Sequence, residues 1–282
     1  MGNHRQGQTT KEDPYNDLTV PGVPQPHLST NDVAIFVPEY NSPGKRDATG
    51  AFHLGAAQFC EFYNLDDEKC VHFIDNTMSP ALRARQLLAK MGRCVYRNEE
   101  TQEDMYPQVY VFFCHGFING IQFGIKSNTP GRVWNTQMKH DWKEFVRLIG
   151  RHVAPIVLLY ACSTGDDPDD DPDTAPGSGD DSFGDLLRDD LCQIGCWFNR
   201  VVTHTTARHS WYNPDIKLMD GLGSPIGGQG GLQVAASGTK AYRELGKMLK
   251  VKPGKSDYGF AWRFPFMTIA DIHQEIAIRL AV

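Results

Sequence analysis

The chain has 282 residues, 40% hydrophobic and 22% charged, with a formal net charge of −6. That mix excludes a coiled coil, a collagen-like repeat and a wholly disordered chain. It lacks the basic stripe of a nucleic-acid binder, and no stretch approaches the roughly 18 apolar residues a membrane span requires.

The charge is uneven. Residues 166–181 (DDPDDDPDTAPGSGDD) carry eight Asp and no Lys or Arg, so setting them aside turns −6 into +2 for the remainder. A like-charge block interrupted by Pro168, Pro172 and Pro176 predicts a solvated loop. It has no EF-hand spacing, so it is not read as a calcium cage. Seven Cys is an odd number, and the polar start, Met1-Gly-Asn-His-Arg-Gln, has no apolar core of a signal peptide. Reduced thiols and a cytoplasmic location are therefore expected.

Residues 1–31 are polar, with Pro at 14, 21, 24 and 26, and predict an N-terminal arm. Val33–Val37 is a short apolar run ending at Pro38, which predicts a buried strand. A turn-rich loop with Ser42-Pro-Gly44 leads into a helix from about 48 to 63, then a strand over Val71–Ile74. Ser79-Pro80 supplies a cap and a first-turn proline for a helix through Met91. Val109–Cys114 predicts a third strand, and Ile118-Asn-Gly-Ile121 a hairpin with Asn119-Gly120 as its turn. A helix over 135–152 precedes a strand at Ile156–Tyr160. Beyond the acidic loop come a helix over 182–194, a strand over Arg200–Thr206, a Gly-rich loop over 220–238 and a helix over 268–280. Strands alternating with helices predict one α/β domain over 32–282, with a mainly parallel sheet covered on both faces.

Active residues of open parallel sheets gather at the carboxyl ends of the strands. Two strands here end in reactive groups, one in His115-Gly116 and the other in Ala161-Cys162. On neighbouring strands, His115 and Cys162 share one rim, where an imidazole can activate a thiol and later protonate a leaving amine. Gly116, lacking a side chain, lets its N–H approach an oxyanion together with the N–H of Cys162. Cys114 points away from such a site because side chains alternate along a strand. The other cysteines, at 60, 70, 94, 192 and 196, are assigned packing roles.

FFCHG at 112–116 followed by LLYACSTG at 158–165 resembles the caspase-like cysteine peptidases, a group that includes caspases, metacaspases, legumain, gingipains and clostripain. The likeness spans residues 32–280 as an order of strands and helices. It implies a three-layer caspase-like sandwich, a His115–Cys162 dyad, a protein or peptide substrate and no cofactor. It also implies that 166–181 is an activation linker cut during maturation. Tyr160-Ala161-Cys162 stands where caspases have Gln-Ala-Cys, and the Asp that metacaspases place two residues before the Cys is missing. The P1 pocket is therefore open between Arg46 with Arg208, which would read an acidic side chain, Asp166 or Asp167, which would read a basic one, and a pocket built elsewhere. Relatives that pair through an edge strand leave room for a dimer or an activating partner.

Two other functions fit the same residues. Ala161-Cys-Ser163-Thr-Gly165 matches a relaxed nucleophile elbow, which would make Ser163 the nucleophile of an α/β-hydrolase with His204, His209 or His273 as base. The breaker-rich run from Asp166 argues against it, because an elbow runs straight from strand into helix. A catalytically silent scaffold is the other alternative, and the presence of both His115 and Cys162 argues against that. His204 and His209 have no Cys or carboxylate at zinc spacing, so no metal is assigned.

Overall fold

Why residues 33–38, 109–113 and 156–160 are apolar at every position becomes clear from their place in a computed structural model. It describes residues 28–39, 51–123, 139–165, 182–204 and 216–220. Strand β1 (Val33–Pro38) is buried along its whole length, as are β5 (Val109–Phe113) and β8 (Ile156–Tyr160). They are central parallel strands with both faces covered, so no polar alternation is tolerated. Strands β2 (Val71–Ile74), β9 (Arg200–His204) and β10 (Ile216–Asp220) complete a six-stranded sheet in the order β10-β9-β8-β5-β1-β2. All neighbours pair in parallel except β9 and β10, which are antiparallel. The order reverses direction at β1, between β2 and β5, and such reversals are where open parallel sheets place their ligands, at the carboxyl ends of the strands.

The two faces carry separate cores. Ala34, Phe36, Tyr110, Phe112, Val157 and Leu159 pack with helices α3 (Pro80–Arg93), α4 (Lys139–Ile149) and α5 (Phe183–Gln193). Ile35, Val37, Val111, Phe113, Leu158 and Tyr160 pack with α1 (Ala51–Tyr63) through Phe52, Ala56, Phe59 and Cys60. Helices, sheet and helices therefore form three layers. Each fully buried Phe of these layers contributes roughly 2–3 kcal/mol of hydrophobic stabilisation.

Local signals account for the helix ends. Pro80 opens α3 directly after Ser79, and the buried Ala84, Leu87 and Met91 mark its inner stripe. The Ser182 hydroxyl accepts the Asp185 N–H at 3.3 Å and starts α5. A buried ion pair, Arg188 to Asp185 at 2.6 Å, ties the first two turns of α5 together.

Four features differ from expectation. One helical turn, α2 (Asp67–Cys70), and a two-residue ladder of β3 (Tyr96–Arg97) with β4 (Asp104–Met105) are too short to leave a periodic trace. β10 extends the sheet, although IKLMD alternates only weakly. The hairpin after β5 exists as β6 (His115–Phe117) and β7 (Gly120–Gln122), but Phe117 pairs with Gly120. Its turn is therefore Ile118-Asn119, one residue earlier than the Asn-Gly signal suggests. No helix among the described residues is long and apolar enough to cross a membrane. The N-terminal arm up to residue 27, the Gly-rich stretch and the expected helix at 268–280 lie outside the described residues.

Candidate active site

Strand register decides what meets at the rim. Phe113 of β5 stands opposite Tyr160 of β8, and their rings stack at 4.4 Å. Two residues further along each chain come His115 and Cys162. Alternation sends Cys114 into the core on the α3–α5 face, where it is fully buried. His115 turns to the α1 face, where Phe52 meets its ring edge to face at 5.0 Å. The β6–β7 hairpin fixes the backbone of His115 by pairing it with Gln122.

Gly116 joins the two halves of the site. A Cβ built on it would lie 2.6 Å from the amide nitrogen of Cys162 and from the carbonyl carbon of Ala161, and closer still to the Cys162 carbonyl oxygen. Backbone thus lies directly on backbone, a contact only glycine permits. The half-buried Cys162 thiol is pushed up to about 11 by burial, while the N–H groups of Cys162 itself and of Gly116 draw it down. The two backbone segments expected to hold an oxyanion therefore lie directly against each other at Cys162.

That thiol is protonated at neutral pH, which differs from the ready thiolate–imidazolium pair the sequence suggests. With a pKa near 11, about one molecule in ten thousand carries the thiolate at pH 7. Alkylation of Cys162 by iodoacetamide is accordingly expected to accelerate about tenfold per pH unit between pH 7 and 10. A rate that is flat from pH 6 to 9 would show a preformed thiolate instead.

The loop after β8 is stitched on three sides. Thr164 donates its hydroxyl to the Ala161 carbonyl at 3.1 Å, and Gly165 donates its N–H to the His204 carbonyl at 2.9 Å. Gly184 donates to the Thr164 carbonyl at 2.8 Å, and Phe183 to the Ile118 carbonyl at 2.6 Å. Gly165 sits against β9 so closely that a Cβ there would lie 2.8 Å from the Thr203 Cβ. Ser163 has φ 52, in the left-handed region, which bends the chain sharply after Cys162.

These bonds hold both ends of the acidic segment side by side, Thr164 against Gly184. Deleting residues 166–181 and joining Gly165 to Ser182 is therefore expected to leave the sheet folded, with thermal unfolding shifted by no more than about 5 °C. An insoluble product would show that the segment belongs to the core.

Arg46, Arg208 and Asp166, with Asp167, lie outside the described residues, as do His209 and His273. His204 is described. It ends β9 fully buried, with the Tyr160 ring edge-on at 5.9 Å. Two contributors escape sequence reasoning altogether, Phe52 against His115 and the Ile118 carbonyl on the α5 N-terminus. Neither position carries a polar or spacing signal. A Cys–His contact lies elsewhere in the fold, Cys94 Sγ at 3.2 Å from His72 Nε2. Burial pushes that thiol up to about 11 and the imidazole down, so the pair is neutral. Among the described residues no group of three or more His, Cys, Asp or Glu could hold a metal ion.

No family model, curated protein or solved structure matches the chain.

Proposed function

We propose that this chain is a caspase-like cysteine endopeptidase in which Cys162 is the nucleophile and His115 the acid and base. The observation that carries this reading is the close approach of the Gly116 backbone to the backbone of Ala161 and Cys162, with His115 adjoining Gly116 in the chain. A three-layer α/β architecture whose strand order reverses beside β5 supports the same reading.

Turnover follows from these groups. His115 takes the thiol proton as the sulfur swings toward the scissile carbonyl carbon. The new S–C bond puts negative charge on the carbonyl oxygen, which enters the place the sulfur leaves and accepts the same two N–H groups. The C–N bond then breaks, and His115 returns the proton to the departing amine. A water, deprotonated by His115, cleaves the thioester and restores the thiol. Removing such a donor from an oxyanion costs about 3–4 kcal/mol of barrier in other hydrolases.

Ser163 supports one competing reading, a serine hydrolase, since its left-handed φ of 52 is the strain expected at a nucleophile elbow. The next residues turn back onto β9 through Gly165 and His204 instead of entering a helix. Fluorogenic peptides varied at P1 separate the two. Hydrolysis that survives Ser163→Ala and disappears in Cys162→Ala is expected. The preferred P1 residue then selects between Arg46 with Arg208 and Asp166 with Asp167. Loss with Ser163→Ala alone would reject the thiol mechanism.

A further inference from the structure

Two thiols outside the candidate site are built into one corner of the fold. Cys60 lies in the last turn of α1 and Cys70 ends α2, and their Sγ atoms are 4.0 Å apart with both side chains buried. The corner between them is fixed by its backbone. Asn64 takes φ 53, Leu65 donates its N–H to the Cys60 carbonyl at 2.9 Å, and Cys70 donates to the Asp66 carbonyl at 3.1 Å. A disulfide requires about 2.05 Å between sulfurs, so they must close by about 2 Å.

The two thiols are not equivalent. The contact between the two sulfurs holds Cys70 below the ordinary cysteine value despite burial, while the same contact and burial push Cys60 up. The pair therefore has an attacking member, Cys70, and a resolving member, Cys60.

We propose that Cys60 and Cys70 form a reversible disulfide, making the α1–α2 corner a redox latch. With a hydroperoxide as oxidant, the Cys70 sulfur attacks one peroxide oxygen and the O–O bond breaks. Cys70 becomes a sulfenic acid, and the leaving oxygen departs as hydroxyl that takes up the thiol proton. The Cys60 sulfur then attacks the Cys70 sulfur, the S–O bond breaks and water leaves with the Cys60 proton. Two thiols have lost two electrons in total, and the peroxide has gained them. The latch reaches the candidate site because α1 also carries Phe52, the residue packed on His115. This last link rests on the proposed function.

The test treats the full chain and its Cys162→Ala variant with a small excess of hydrogen peroxide. Remaining thiols are alkylated in denaturant, and peptides are mapped by mass spectrometry without reduction. The expected product in both proteins is a Cys60–Cys70 cross-linked peptide pair, lighter by about 2 Da than the two free thiols and released by dithiothreitol. Cys60→Ser and Cys70→Ser eliminate it. Full alkylation of both residues after oxidation, over-oxidation of Cys70 beside an intact Cys60, or pairing of either with another cysteine would overturn the latch. In the wild type, cross-linking is expected to lower peptide turnover several-fold, and the same peroxide leaves turnover of Cys60→Ser unchanged. Equal turnover before and after cross-linking would overturn the coupling to the site. The cross-link in Cys162→Ala needs no catalysis. Its absence rejects the latch and leaves the peptidase standing, whereas a cross-link in a chain that cleaves no peptide rejects the peptidase alone.

Discussion

Gly116→Ala is expected to lower peptide turnover by about 100-fold or more and stability by about 1–3 kcal/mol. The added methyl group collides with the backbone of Ala161 and Cys162, not with a side chain that can rotate away. That backbone is itself held, by the Thr164 hydroxyl on the Ala161 carbonyl and by Gly165 on β9. The two strand ends must therefore part, and the Gly116 N–H moves away from the Cys162 backbone. Steady-state kinetics and denaturant unfolding measure the two effects. An alanine variant with wild-type turnover and stability would show that the close contact does not exist.

Cys162→Ala is expected to remove turnover by at least about three orders of magnitude, together with any self-cleavage between about 163 and 182, because no other group takes over a lost nucleophile. Its effect on folding is small by comparison, about 1 kcal/mol or less, since the thiol is half-buried and its loss leaves little cavity. Ser163→Ala retains the backbone bend and most of the turnover. The comparison is informative because the two residues are adjacent and share every effect of loop distortion. A Cys162→Ala protein that still cleaves peptides, with circular dichroism unchanged, would contradict the assignment.

How far the site can be read from sequence depends on the kind of signal each residue carries. VAIFV, VYVFF and IVLLY announce buried parallel strands because they are short, apolar at nearly every position and rich in β-branched and aromatic residues. From them follows the rim position of His115 and Cys162, and the parity that sends Cys114 the other way. Register is different. That the strands carrying His115 and Cys162 are neighbours, matched at Phe113 and Tyr160 two residues before each, depends on tertiary pairing, which periodicity does not encode. Gly116 is read from sequence as an oxyanion donor because it lacks a side chain, and the structure adds that it lies against the backbone of Ala161 and Cys162. The raised thiol of Cys162 is equally illegible, since it arises from burial by residues scattered along the chain. Phe52 illustrates the limit best, as an ordinary aromatic on the inner stripe of a helix that also forms the floor under a histidine. The hairpin turn shows local chemistry yielding to tertiary pairing, with Ile118-Asn119 used in place of Asn119-Gly120.

The central claim concerns which atom attacks. A mixture of peptidyl chloromethyl ketones with acidic, basic and apolar P1 residues, incubated with the full chain and followed by peptide mapping, identifies that atom directly. A single adduct on Cys162 that requires His115, absent from His115→Ala under the same conditions, is the predicted result. An adduct on Ser163, or on Cys94 beside His72, would place the chemistry elsewhere and contradict the account.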